Sequence, residues 1–245
     1  MNKQSVREAA SGVAAIIVAA GSGSRMKSNT KKQYMELGGK PVLYYALDAF
    51  AKSSVIDEIV LVASEEDICY CREEIVNKYN ISKVTAIVPG GAERYLSVWN
   101  GLRAVSESVG YVMVHDAARP LIKQATIHNA YEEVIKCNAC VVGVPAKDTI
   151  KQTDSKNAVV ATPPRSSLWM VQTPQCFKKE LLLQAYEALW KDEENTALTD
   201  DAMIVEHYTG AKVYMLEGEY SNIKITTPED IIIAKAMLEA NLGGS

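Results

Sequence analysis

The chain has 245 residues, 48% of them hydrophobic, and 26 basic side chains against 30 acidic ones give a formal net charge of −4. That length and apolar content can bury one sizeable α/β core, and the mild acidity excludes a general nucleic-acid or membrane-surface binder. A few convergent cations can still focus a positive field on a small anionic substrate inside an acidic protein. No stretch approaches the roughly 20 apolar residues that span a bilayer. The polar segment 1–11 lacks the apolar centre of a secretory signal, so a cytoplasmic location is expected. Residues 1–11 and 243–245 read as flexible tails on a single domain over 12–242.

The first element is the apolar run "VAAIIV", Val13 to Val18, a buried strand followed by "AAGSGSRMKS". A dinucleotide fingerprint needs a third glycine for close helix packing after Gly21 and Gly23, and Met26 stands there. A phosphate loop of the G-x-x-x-x-G-K-[ST] type fits Gly21 to Ser28 except, again, at Met26. Helical periodicity resumes only at about Pro41, well placed to open a helix, so the connection is long and basic, with Arg25, Lys27, Lys31 and Lys32. Backbone amides of a small turn plus loop cations suit a triphosphate laid at a strand's carboxyl end.

Strand-like and helix-like segments then alternate: "IDEIVLVAS", a helix through "EEDICYCREEIVNKY", "VTAIVPGG", "RYLSVWNGLRAVSE", "GYVMVHD", "QATIHNAYEEVIK" and "ACVVGVPA". Near-continuous apolar strands between helices predict a Rossmann-like, open, mostly parallel sheet with helices on both faces. Cys69 and Cys71 are two apart on a helix and face different sides, and Cys140 opens a strand, so the five cysteines read as reduced core thiols rather than zinc ligands. At 145–167 the rhythm breaks into a polar, β-branched, proline-containing segment, read as a projecting two-stranded arm or, more plainly, as a surface loop. The pattern resumes with "KELLLQAYEALW", "TDDAMIVEHY", "KVYMLEG" and "NIKITT", and ends in the helix "PEDIIIAKAMLEAN", opened by a proline and two acids.

No nucleophile elbow is present, and of three histidines His128 lies in a helix and His207 follows "AMIVE", so a hydrolase triad has little support. Asp116, at a strand end near a candidate triphosphate loop, either organises hydrated magnesium or caps the following turn.

The run "AAGSGSRM…KKQYMELGGKPVLYYAL", continued in order by "PGGAERYLSVWNGL", "VHDAARPL", "VPAKDTIK", "RSSLWMVQTPQCF", "LTDDA" and "NIKITTPEDI", resembles nucleotidyltransferases that join a nucleotide to a sugar or polyol phosphate. Within them it is most similar to the 2-C-methyl-D-erythritol 4-phosphate cytidylyltransferases of the non-mevalonate isoprenoid pathway, over essentially all of 13–240. The resemblance implies CTP and a polyol phosphate as substrates, a divalent cation such as Mg2+, and a homodimer clasped through the arm. It makes Arg25 and Lys32 the cations that stabilise the α-phosphate in transit. By the same resemblance Ala19, Ala20, Gly21, Ser22, Gly23, Gly91, Ala92, Ser97 and Asp116 are expected to hold the nucleotide, with Asp116 on the metal directly or through water, and Arg165 and Lys224 to align the attacking phosphate, with Arg119, Thr149 and Thr173 around the same substrate. Two positions depart from the family pattern: Lys31 stands where a proline is usual, and Ala92 where a polar residue is frequent.

Transfer to a phosphate monoester needs no general base, because the monoester's second pKa lies near ~6 and its oxygen is already anionic at neutral pH. Positioning and charge stabilisation remain for the protein to supply, which matches a chain rich in loop cations. The rival readings are a ribitol-5-phosphate cytidylyltransferase, a non-catalytic nucleotide-binding homologue and, last, a nicotinamide oxidoreductase.

Overall fold

Alternation along the first strand decides the layering. In β1 (Gly12–Val18), Val13, Ala15 and Ile17 face one apolar cluster while Ala14 and Ile16 face another, all of them buried. A strand that is apolar on both sides needs cover on both. The computed structural model describes residues 12–21, 30–192 and 198–242, so the two expected tails lie outside the described residues.

After β1 the chain makes a short antiparallel pair, β2 (Glu36–Leu37) and β3 (Lys40–Pro41), and enters α1 (Val42–Lys52) with Pro41 at its N-cap. β4 (Glu58–Ala63) leads to α2 (Ile68–Tyr70), which continues as a π-helical stretch over Cys71–Asn77. β5 (Val84–Pro89), α3 (Arg94–Arg103), β6 (Val109–Asp116), α4 (Gln124–Cys137) and β7 (Ala139–Pro145) follow. Next come β8 (Gln152–Thr153), β9 (Val159–Ala161), β10 (Trp169–Lys178), α5 (Lys179–Leu189), α6 (Asp201–Thr209), β11 (Tyr214–Glu217) and α7 (Pro228–Leu242).

The main sheet has seven strands in the order β11-β7-β10-β6-β1-β4-β5. Every neighbouring pair is parallel except those of β10, which runs antiparallel to both β6 and β7. One face is covered by α1, the π-helical stretch and α4, the other by α3, α5 and α6. The expected doubly covered α/β sheet is therefore present. From β1 the chain moves outward to β4 and β5 and then returns to β1's other side as β6, so the strand order reverses at β1, where open α/β sheets form their ligand crevice.

Several expectations need correction. The helix expected around Cys69 is π-helical over much of its length, and Cys71 and Ile75, four residues apart, are its buried positions. All five cysteines are free, and Cys71, Cys140 and Cys176 are buried, but Cys69 is exposed because only one of two residues two apart can face the core. Residues 222–227 ("NIKITT") form neither helix nor strand among the hydrogen-bonded elements. The segment between β7 and β10 carries β8 and β9 as a separate antiparallel pair, and residues 147–162 are exposed throughout. Its turn is held by Asp154, whose carboxylate accepts from the backbone N–H groups of Lys156 and Ala158 at 2.8 and 2.9 Å, with Asn157 at φ 62°.

α3 lies unusually close to the sheet. A Cβ at Gly101 would sit 2.6 Å from Ile16 Cγ2 and 2.9 Å from Val62 Cγ2, methyl groups of stiff β-branched residues that cannot swing aside. At an ordinary helical site Gly→Ala would stabilise by about 1 kcal/mol. Here overpacking outweighs that gain, and Gly101→Ala is expected to destabilise by about 1–3 kcal/mol. The urea midpoint reads this directly; an unchanged or higher midpoint would mean that the helix simply shifts outward.

Candidate active site

The site is built where β1, β5 and β6 end. Leaving β1, the chain turns through Ala19-Ala20-Gly21, and the Ala19 N–H donates to Val62 O at 2.7 Å. The buried Gln33 side chain reaches back from the following segment, its Nε2 donating to Ala19 O at 2.6 Å and Gly21 O at 3.1 Å. The turn after β5 presses against this one: a Cβ at Gly90 would lie 2.2 Å from Ala20 Cβ and 2.9 Å from Ser97 Oγ, so only glycine permits the approach. The Gly91 N–H donates to Ser97 Oγ at 3.1 Å, and that hydroxyl donates on to Glu93 O. Between these turns and the end of β6 lies a cavity of roughly 350 Å³, into which Lys32, Arg94, Asp116 and Lys224 project.

Asp116 is the electrostatic centre of this cavity. Its carboxylate pairs with Lys224 Nζ at 2.7 Å and with Arg94 Nε at 3.4 Å. Burial alone would raise its pKa, but the Arg94, Lys224 and Arg119 cations outweigh burial and hold it well below the usual carboxylate range. Arg94 is shared: its NH1 also pairs at 2.8 Å with Asp201, which is fully buried and accepts from Tyr186 OH at 2.7 Å. Burial opposes the charge on Arg94, and Asp201 and then Asp116 more than restore it, raising its pKa above the ordinary arginine value. Gln175 on β10 fixes Asp201 by donating to Asp200 at 2.8 Å and accepting from the N–H groups of Asp201 and Ala202 at 3.1 Å each.

Behind Asp116 a second layer holds its backbone. The Asp116 N–H donates to Thr173 Oγ1 at 3.1 Å, and that hydroxyl also bonds His115 Nδ1 at 3.0 Å. Burial pushes the His115 pKa down to about 4, so the ring is neutral at physiological pH. Arg119 NH1 donates to Asn222 O at 2.7 Å and NH2 to Val171 O at 3.3 Å, while Ile225 N–H donates to Ala118 O at 2.8 Å. Those bonds stitch the irregular 222–227 segment, and so Lys224, to the end of β6.

Of the residues singled out from sequence, Ala19, Ala20, Gly21, Lys32, Gly91, Ala92, Ser97, Asp116 and Lys224 line one cavity. Ser22, Gly23 and Arg25 lie outside the described residues. Lys31 is turned away from the cavity onto Glu66 and Asp67, while Lys32 lines it. Arg119 and Thr173 are buried and neither lines the cavity: Thr173 Oγ1 is taken by the Asp116 amide and His115, and Arg119 NH1 and NH2 by backbone carbonyls, while Arg119 Nε is buried without a partner. Thr149 and Arg165 sit on the exposed excursion between β7 and β10, where Arg165 NH1 donates to Lys147 O at 2.8 Å; neither lines the cavity. Sequence reading missed Gln33, Arg94 and Asp201. "KKQY", "AERY" and "LTDDA" place a polar side chain beside each named motif, but their pairing spans 14, 22 and 107 residues and shows only in the fold.

As for a metal, no group of three His, Cys, Asp or Glu residues that could hold an ion occurs among the described residues. Among the described residues the cavity wall carries two carboxylate residues, the exposed Glu93 at its rim and Asp116, buried and kept ionised. That donor set fits Mg2+, which takes one or two carboxylates and draws its other ligands from substrate phosphates and water.

Comparison with known proteins accords with this geometry. Residues 13–240 match the family model of IspD, 2-C-methyl-D-erythritol 4-phosphate cytidylyltransferase. The cytidylyltransferase of that name from Lachnoclostridium phytofermentans is 51% identical over 226 residues, covering 92% of this chain and 96% of the relative. A namesake from Clostridium botulinum strain 657 is 50% identical over 224 residues, 91% and 96% of the two chains. Among solved structures, the 4-diphosphocytidyl-2C-methyl-D-erythritol synthase of Anaerococcus prevotii superposes with a TM-score of 0.81 at 37% identity, covering 93% of this chain and 96% of that one. The Francisella tularensis enzyme gives a TM-score of 0.77 at 31% identity, covering 92% and 99%. The chain belongs to the 2-C-methyl-D-erythritol 4-phosphate cytidylyltransferase family.

Proposed function

We propose that this protein transfers the cytidylyl group of CTP to the phosphate of 2-C-methyl-D-erythritol 4-phosphate, releasing pyrophosphate. The observation that carries this reading is a cavity at the strand-order reversal in which two cations flank an ionised Asp116, beside a third, Lys32. A phosphate oxygen of the acceptor attacks the α-phosphorus. The bond from that phosphorus to the oxygen bridging the β-phosphate breaks, and the electron pair leaves with pyrophosphate. The close turns at Ala19–Gly21 and Gly90–Ala92 hold the nucleotide against backbone N–H groups. Lys32, together with Arg25 of the "GSGSRM" motif, balances charge on the α-phosphate as it expands. Lys224, fixed by Asp116 and the stitched 222–225 segment, aligns the acceptor phosphate. Arg119 and Thr173 act from behind, by holding that segment and the Asp116 amide. Magnesium, when bound, would be held by Asp116 together with phosphate oxygens and would neutralise charge on the triphosphate.

We also read the protein as a homodimer joined through the β8–β9 hairpin, with Thr149 and Arg165 reaching the acceptor from the arm. Support comes from the side chains the hairpin leaves in solvent: Val159 and Val160 are each 58% exposed and Ile150 43%. Its five free thiols suit the reducing cytoplasm, where we place it.

Pyrophosphate release from CTP, measured with methylerythritol 4-phosphate and with ribitol 5-phosphate in separate reactions, tests the reading. Turnover with the first alone is expected, and turnover only with the second would keep the chemistry but overturn the substrate. In the same assay Lys32→Ala should lower kcat by roughly 10²–10³-fold, the scale for loss of one transition-state donor. For pH, Asp116 is ionised well below the carboxylate range and His115 is neutral above about 4, so neither changes charge between about pH 5 and 9. The acidic limb of kcat/KM should therefore fall near ~6, following protonation of the acceptor phosphate, and should move when an acceptor of different phosphate pKa is used. A limb fixed at one pH for all acceptors would point to a protein group instead. Val159→Asp with Val160→Asp should convert dimer to monomer in sedimentation velocity; an unchanged sedimentation coefficient would remove the hairpin from the interface.

A further inference from the structure

Lys31 and Lys32 are adjacent yet do opposite things, and the local backbone explains why. Residues 32–34 form one 3₁₀ turn, closed by Tyr34 N–H donating to Lys31 O at 2.9 Å. With three residues per turn, side chains i and i+3 eclipse, so Lys31 and Tyr34 share one side while Lys32 and Gln33 point elsewhere. The shared side docks on the segment 64–71. Lys31 Nζ meets Ser64 Oγ at 3.0 Å, Glu66 Oε1 at 2.6 Å and Asp67 Oδ2 at 2.6 Å. Tyr34 stacks edge-on against Tyr70, ring centroids 5.1 Å apart, and its hydroxyl bonds Cys71 Sγ at 3.3 Å. On the other sides, Gln33 grips the turn after β1 and Lys32 lines the cavity.

All three donor protons of the Lys31 ammonium are thus directed at partners outside the cavity. The pair is also partly shielded: the Lys31 side chain is 26% exposed and that of Asp67 19%, so solvent and salt weaken it less than they would a fully exposed pair. Four residues in a row divide the work. Lys31 and Tyr34 anchor the turn at its two ends, and Lys32 and Gln33 between them face the nucleotide side.

We propose that Lys31 is a positioning residue for nucleotide binding: an ionic latch on Glu66 and Asp67 that fixes the turn and thereby aims Lys32 into the cavity. The latch is distinct from the phosphate-binding cations, because its charge is neutralised by two carboxylates instead of by substrate. It also makes CTP affinity depend on ionic strength through a contact that does not touch CTP.

The inference rests on the cytidylyltransferase reading, and the test separates the two. Wild type, Lys31→Met, the pair Glu66→Gln with Asp67→Asn, and the triple variant are compared for kcat and for KM with CTP. The latch requires Lys31→Met and the carboxylate pair variant each to raise KM by about fivefold, the scale a partly shielded ion pair can carry, and to lower kcat by far less than the roughly 10²–10³-fold expected of Lys32→Ala, because Lys32 is then misaimed and not lost. The triple variant should be no worse than either alone, since both remove the same contact. Wild-type KM should also rise more steeply with potassium chloride than that of Lys31→Met. If Lys31 touched the phosphates itself, removing Glu66 and Asp67 charges would leave KM unchanged or lower it, and the latch would be overturned. A fall in thermal midpoint with KM unmoved would also overturn it, leaving only a structural contact. Should the wild type release no pyrophosphate, the functional reading fails, and CTP dissociation constants from calorimetry on the same four proteins decide the latch by the same comparison.

Discussion

The site depends on keeping one negative charge ionised and stationary at the end of β6. Asp116 is nearly buried, and a lone carboxylate there would neutralise by taking up a proton. Arg94 and Lys224 prevent this from either side, and they come from distant parts of the chain, the start of α3 and the segment before α7. Arg94 is in turn held by Asp201, itself fixed by Tyr186 and Gln175. Such a chain adds little net stability, because burying the Asp116 and Asp201 carboxylates costs about as much as their pairing returns, whereas removing Arg94 would leave the fully buried Asp201 charge without its cation at a penalty of about 3–5 kcal/mol. The arrangement therefore contributes less to stability than to definition: it fixes where the cations stand before any substrate arrives.

Preorganisation of that kind is what nucleotidyl transfer asks for. The acceptor phosphate brings its own nucleophilic oxygen and the triphosphate its own leaving group, so neither a histidine base nor a covalent intermediate is required. His115 illustrates the point. Although it adjoins Asp116, it is buried, neutral and bonded to Thr173 and the Arg119 carbonyl, and its contribution is to hold the strand end in shape.

Much of this was legible in the sequence where the signal is local. The run "VAAIIV" announces a doubly buried strand, Met26 rules out two familiar phosphate motifs, and "VHD" puts a carboxylate at a strand end. Family resemblance then named Lys32, Asp116 and Lys224, which converge on one cavity. Illegible were features fixed by distant partners. β10 reads poorly as a strand because "WMVQTPQCFK" mixes polar residues with Pro174, which cannot donate to a ladder, and its pairing is interrupted between Val171 and Gln175. Arg94 looks like an ordinary helix-start arginine until β6 and α6 bring two carboxylates to it. Arg119 and Thr173 carry the right chemistry for a substrate contact, and only the packing of 222–225 against them shows what their polar atoms hold.

The excursion between β7 and β10 also has a mechanical meaning. Its two roots are neighbouring strands of the main sheet, tied where Ala146 N–H donates to Leu168 O at 2.9 Å. One root continues directly into Val171, Gln172 and Thr173, the residues that bond Arg119, Asn222 and the Asp116 amide. The hairpin is thus a cantilever whose fixed end is the wall of the cavity. A load on the hairpin enters the main sheet at that tie and runs along β10 to Thr173, so a grip far out on the hairpin is felt behind Asp116 as torque on β10.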